Sequence, residues 1–288
     1  MKLIPRALFA IALVLAANSP AQAGRLQVVA AENFYGDVAR QIGGSDVAVT
    51  SILSNPDQDP HEFEANPSTA RAFASAAIVV YNGAGYDPWA EKLLAASPSA
   101  TRRIVHIAAL VDRETAANPH LWYDPYTMPA LAERLVAILA ELDPAHVADY
   151  RRRLAAFERS LSPLTAKIAE LRSRYRSTAV AATEPVFGYM ADALGLDMHD
   201  QRFQLATMNG TEPSAADIAA FEQQLRTKAV RLLIYNAQTS DALARRLRAI
   251  ARDAGVPVVG VSETEPPGKD YQEWMGSQLA AIDRALSR

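Results

Sequence analysis

Two short stretches of this 288-residue sequence gather side chains that can bind a metal. His61 lies in Asp59-Pro60-His61-Glu62-Phe63-Glu64, and His120 lies in Asn118-Pro119-His120-Leu121-Trp122-Tyr123-Asp124-Pro125. Each histidine follows a proline, whose ring fixes its own φ and biases the residue before it toward extended backbone. The imidazole is therefore carried on a stiff approach, and a neutral imidazole so held is a good ligand for first-row transition metals. His106, His146 and His199 lack that setting and are read as structural or exposed. Two carboxylates in the second half fit the same chemistry. Glu184 directly follows the apolar segment 178–182, and Glu263 follows the apolar segment 256–261. Both stand at the carboxyl ends of expected strands, where open α/β sheets bind ligands. Glu184 also precedes a helical segment, where negative charge is favoured for its own sake, and Glu265 competes with Glu263 for the second position. The sequence has no cysteine, so metal donors are limited to His, Asp, Glu and polar oxygens.

The elements that must position these residues are legible from hydrophobic patterning. Strands are expected at 26–30, 47–53, 77–81, 103–106, 178–182, 230–235 and 256–261. Helices are expected at 33–43, 67–76, 86–96, 186–194, 241–254 and 271–286, with another beginning at Ser214. Gly195 marks a helix stop, and Ser214 with Asp217 forms a partial capping box. Strands alternating with helices imply βαβ units and a mainly parallel sheet. The middle differs. Val147, Tyr150, Leu154, Phe157, Leu161, Leu164, Ile168 and Leu171 recur at alternating spacings of three and four, which predicts one long amphipathic helix with a narrow apolar stripe. Pro163 is expected to interrupt or kink it. Coiled-coil pairing is the rival reading; a single helix lying across a globular body is preferred, because α/β segments flank it on both sides.

Residues 1–23 read as a secretory signal peptide: Lys2 and Arg6 supply the basic start, 7–17 the apolar run, and Ala21-Gln22-Ala23 the small-residue cleavage pattern. The run is too short to span a bilayer, and no later stretch is long and apolar enough to do so. The expectation is an exported periplasmic protein, with no cysteine to accept a lipid anchor. The formal net charge is −3; residues 1–23 hold two of the basic residues and no acid, which leaves −5 for the remainder. That balance carries no electrostatic footprint for nucleic acid.

Taken together, these residues resemble the zinc- and manganese-binding family of ABC-transporter solute-binding proteins. The carriers are Asp59-Pro60-His61-Glu62-Phe63-Glu64, Asn118-Pro119-His120-Leu121-Trp122, the run Glu184 to Tyr189, and Val256-Pro257-Val258-Val259 followed by the Glu263 loop. The resemblance implies an α/β fold of two lobes with mainly parallel sheets, joined by one rigid helix, with the metal in the cleft between them. It divides the chain into the signal peptide 1–23, an N-terminal lobe 24–142, a linking helix 143–176 and a C-terminal lobe 177–288. It implies four ligands, two from each lobe: His61, His120, Glu184 and Glu263. The fourth departs from the family's usual Asp, which keeps Glu265 open as its rival. The His-rich loop of many zinc-specific members is absent between His61 and His120.

Two neutral imidazoles and two carboxylates neutralise a divalent cation. Oxygen ligands favour Mn(II), or Fe(II), more than a three-His site would, while the intrinsic affinity order still favours Zn(II); the expectation leans slightly to manganese. Tyr189, Asn236, Gln238 and Asp124 are candidates to orient the ligands, with ordinary polar residues of helix and loop as the rival reading. The implied function is capture of a divalent transition metal by a monomer and delivery to an inner-membrane ABC permease and its ATPase, without enzymatic activity. A metal-dependent hydrolase is the alternative from another class. It would need an open coordination position and a general base, for which Glu62 or Glu64 could serve, but no His-Glu-x-x-His helix or nucleophile elbow occurs. A metal-binding adhesin is the third reading.

Overall fold

The computed structural model describes residues 24–57, 60–239 and 241–288, without the side chain of His61. The segment 1–23, expected to be a signal peptide, lies outside the described residues. The first half runs β1 (Leu26–Glu32), α1 (Asn33–Gly43), β2 (Val47–Leu53), α2 (Pro67–Ser75), β3 (Ile78–Tyr81), α3 (Pro88–Ala96), β4 (Arg103–His106), α4 (Ile107–Leu110) and α5 (Thr127–Leu142). The long α6 (Val147–Tyr175) follows. The second half runs β5 (Ala179–Ala182), α7 (Gly188–Leu194), β6 (Asp197–His199), α8 (Gln201–Met208), α9 (Ala215–Arg226), β7 (Leu233–Asn236), α10 (Ala242–Ala254), β8 (Val258–Val261) and α11 (Tyr271–Leu286).

The strands form two four-stranded sheets, ordered β2-β1-β3-β4 and β6-β5-β7-β8, and every pairing is parallel. The two α/β lobes thus repeat one topology. In each, the chain leaves the first strand in opposite directions, which opens a crevice at the carboxyl ends of β1 and β3 and of β5 and β7. Helices cover the faces, so β3 is buried along its whole length, as parallel sheets require. Local signals set the boundaries. Asn66 caps α2 ahead of Pro67, and Ser214, Asp241 and Asp270 cap α9, α10 and α11 by accepting a backbone N–H. Gly195, at φ 67°, ends α7 in the left-handed conformation that a side chain would penalise.

The apolar stripe of α6 is buried at Tyr150, Phe157, Leu161, Leu164 and Leu171. It packs against α1, α5, α7 and α11, so the helix lies across a globular body. Pro163 does not end it: the helix continues on both sides, without the hydrogen bond that the missing N–H would have made. Arg153 ties the N-terminal end to Asp46 and the Gly43 carbonyl; Lys167 ties the C-terminal end to Asp283.

Four elements go beyond the sequence expectations: α4, α5, β6 and α8. Two strands also start later than the apolar runs suggest. Val230 and Val256 are buried in the turns that precede β7 and β8, so their hydrophobicity reports burial rather than ladder pairing. No helix among the described residues is long and apolar enough to cross a membrane.

Candidate metal centre

Three of the four expected ligands meet where the two lobes face each other. His120 enters from the first lobe, between Pro119 and the short 3₁₀ turn Leu121–Tyr123. Glu184 follows β5 and Glu263 follows β8 in the second lobe. All three are buried, His120 completely. His120 Nε2 stands 3.4 Å from Glu263 Oε2. Asn236, at the carboxyl end of β7, joins the two acids: its Nδ2 donates to Glu184 Oε2 at 3.0 Å and to Glu263 Oε1 at 2.5 Å. The acids therefore follow β5 and β8, the two strands that flank β7, and Asn236 at the end of β7 bridges them. His61 lies in the short 3₁₀ turn Pro60–Glu62 of the first lobe.

Each side chain is held by a second set of groups. Asn118 Oδ1 accepts from His120 Nδ1 at 2.7 Å and from the His120 backbone N–H at 3.1 Å. With the proton on Nδ1, the lone pair lies on Nε2, which faces Glu263. The Asn118 amide donates across to the Pro185 carbonyl at 2.8 Å, and Tyr189 donates back to the Asn118 carbonyl at 2.7 Å. One residue thus orients the imidazole and ties its loop to the residue after Glu184. Thr239 donates to Glu184 Oε1 at 2.7 Å. Gln238 Oε1 accepts the backbone N–H groups of Glu263 and Thr264 at 2.6 and 2.9 Å, fixing the fourth loop. Tyr86, from the first lobe, donates to Glu263 Oε2 at 3.0 Å.

Burial sets the electrostatics. It pushes the Glu184 carboxyl up from its ordinary value, as does the nearby Glu263, while hydrogen bonds from Thr239 and Asn236 pull it back. Burial and the Glu263 charge likewise raise the Tyr86 phenol, keeping it a donor. Trp122 packs its ring edge-on to His120 and Tyr86 and against Phe34, an apolar wall that strengthens every polar contact it borders. Among the described residues no three His, Asp or Glu side chains already stand at metal-coordinating geometry; the two carboxylates rest on the Asn236 amide instead.

Of the expected orienting residues, Asn236 and Gln238 contact the acids or their loop, and Tyr189 reaches the His120 loop. Asp124 instead caps its own turn by accepting the Tyr126 N–H. Glu265 points elsewhere: its backbone exchanges hydrogen bonds with the Asn33 side chain, and its carboxyl lies near Asp37 and Arg40. His106 stacks on Tyr81, and His199 binds Asp197 and Gln224. Asn118, Tyr86 and Thr239 were missed as site residues. Asn118 had a usable signal, since an Asn two residues before a ligand His can accept its Nδ1 proton; nothing in the sequence places Tyr86 across the cleft from Glu263.

Residues 28–285 match the family model for ZnuA, the zinc-uptake complex component A, periplasmic. Among curated proteins the chain is similar to the iron-binding protein YfeA of Yersinia pestis, 30% identical over 190 residues that cover 63% of this chain and 61% of that protein. It is also similar to the metal ABC transporter substrate-binding lipoprotein ScbA of Streptococcus cristatus, 24% identical over 92% of this chain and 90% of that one. Among solved structures, the periplasmic zinc-binding protein TroA of Treponema pallidum shares the fold, with a TM-score of 0.78 at 18% identity, over 92% of this chain and 100% of that one.

Proposed function

We propose that this chain, which belongs to the ZnuA family of zinc-uptake complex component A periplasmic proteins, captures a divalent transition metal and delivers it to an ABC importer. The observation that carries the proposal is the junction of His120 with Glu263, which Asn236 ties to Glu184, all three buried between the lobes. His61, from the other Pro-His loop, is proposed to complete the set of four ligands. The residues fit such a cargo. Two neutral imidazoles and two carboxylates balance a divalent charge, and the mixed nitrogen and oxygen set suits Mn(II), Zn(II) or Fe(II), with Zn(II) favoured by intrinsic affinity. On entry, the carboxylates exchange the Asn236 amide for the cation, while Asn118 keeps Nε2 of His120 free of its proton. A closed set of four protein ligands serves capture; a catalytic site would keep a position for water, so no enzymatic activity is assigned.

The proposal includes the division into lobes 24–142 and 177–288 about the linking helix 143–176. It also includes export through residues 1–23 and a monomeric periplasmic form. The partners are a membrane permease and its ATPase, as the transporter naming of the streptococcal relative suggests. The test is titration of metal-free protein, residues 24 to 288, with Zn(II), Mn(II) and Fe(II), in the wild type and in His61→Ala, His120→Ala, Glu184→Ala and Glu263→Ala. One tight site weakened by every substitution supports the proposal. Binding indifferent to all four would end it.

A further inference from the structure

A second group of buried polar residues stands behind the site, at the carboxyl ends of β1 and β3: Glu32, Asn82 and Asp87. Between Asn82 and Asp87 the backbone takes three consecutive positive φ values, 75° at Gly83, 51° at Ala84 and 80° at Gly85. A residue with a Cβ seldom adopts that conformation, and it persists only where the surroundings over-determine it. Asp87 does so here. Its Oδ2 accepts the Asn82 N–H and its Oδ1 the Gly83 N–H, both at 2.7 Å, and Tyr86 N–H closes onto the Gly83 carbonyl at 3.1 Å.

The turn so held reaches proposed ligands of both lobes. Asn82 accepts from Tyr35 at 2.6 Å and donates at 2.9 Å to the carbonyl of Pro119, the residue before His120. Tyr86, at the other end, donates to Glu263. Glu32 lies against Asp87, and among the described residues no N–H or O–H of another residue bonds either of its oxygens. Two buried carboxyls in contact do not both ionise. Asp87, with the Asn82 and Gly83 N–H donors, keeps the charge; Glu32, with no donor from another residue, keeps a proton and has Asp87 to donate it to. Burial moves Asp87 up to about 6, moderated by those donors, and moves Glu32 well above its ordinary value, reinforced by the Asp87 charge.

We infer that Glu32 and Asp87 form a proton-sharing pair that positions the 82–87 turn, and through it His120 and Glu263, for the metal. Both are positioning residues, and the inference rests on the metal-capture reading. The experiment compares the wild type, residues 24 to 288, with Glu32→Gln, Glu32→Leu and Asp87→Asn. It reads Mn(II) affinity and, in the metal-free proteins, the amide proton resonance of Gly83, which reports the hydrogen bond to Asp87. Glu32→Gln keeps a neutral donor to Asp87 and should bind within about threefold of wild type with the Gly83 resonance in place. Glu32→Leu, of similar size but without a donor, should bind about 10- to 100-fold more weakly with the resonance shifted, the range typical for outer partners of metal ligands. Asp87→Asn should do the same. Equal affinities for the Gln and Leu variants, or a wild-type resonance in Asp87→Asn, would overturn the inference, and if Asp87→Asn does not fold the Gln and Leu pair still decides. A wild type that binds no Mn(II) while the Gly83 resonance still moves as expected would locate the failure in the metal-capture reading instead.

Discussion

Asn118 performs two jobs with one amide, and substitution separates them. Its Oδ1 fixes the proton on His120 Nδ1, and its Nδ2 satisfies the Pro185 carbonyl across the cleft. Asn118→Ala removes both. Loss of the imidazole's partner frees the ring to change tautomer and rotate, an effect worth about 10- to 100-fold in metal affinity, or about 1.4–2.7 kcal/mol. Loss of the donor to Pro185 leaves a carbonyl unpaired at about 1–3 kcal/mol of folding stability. Asn118→Asp restores the acceptor but not the donor, and places an oxygen toward the Pro185 carbonyl. The Asp variant should therefore bind metal within about threefold of wild type, yet unfold at lower denaturant concentration, while the Ala variant falls on both measures. Calorimetric titration gives the first quantity and urea unfolding of the metal-free protein the second. Equal metal affinities for Ala and wild type, or equal losses of affinity for Ala and Asp, would refute this division of roles.

Three other outcomes follow from burial. Glu265 is raised to about 9, chiefly by desolvation and also by Asp37. The folded chain holds that proton after the unfolded chain has released it, so this contribution to stability is complete at acid pH and is lost as pH rises toward 9; Glu265→Gln should gain on wild type with pH by at most about 1.4 kcal/mol per unit, measurable by urea unfolding across that window. Glu184 is also raised, so protons compete for it at a higher pH than for an ordinary carboxylate; metal affinity should weaken on acidification earlier in wild type than in Glu184→Gln, as titrations over a pH series would detect. Leu171 is fully buried on α6, and Leu171→Ala should cost about 2–5 kcal/mol in urea unfolding, with little change in metal affinity measured at a temperature where the variant is folded.

The sequence was informative where a residue's role depends on its neighbours along the chain. Strand β2, helix α1 and helix α11 stand where apolar periodicity and caps put them, and the three-four spacing of α6 survives Pro163 because one missing N–H is a local loss set against a stripe of buried contacts. His120, Glu184 and Glu263 were legible because a Pro-His loop and the ends of parallel strands announce themselves locally. Where a role depends on the opposite lobe, the sequence was silent. Tyr86 reads as one more residue after a glycine, and only the cleft brings it to Glu263. Glu265 and Glu263 are alike on paper; the Asn33 side chain, 232 positions away, pairs with the Glu265 backbone, and the Glu265 carboxyl lies toward Asp37. The edge strand β6 is three residues long, too short for a periodic pattern to mark.

The most direct measurement is a crystal structure of the Mn(II)-loaded protein with anomalous scattering recorded to locate the metal. The account predicts one strong peak between the lobes, bonded to His120 Nε2, to the His61 imidazole and to the carboxylates of Glu184 and Glu263, with Asn236 released from at least one of the two acids. A peak outside the cleft, or one coordinated by Glu265 in place of Glu263, would contradict it.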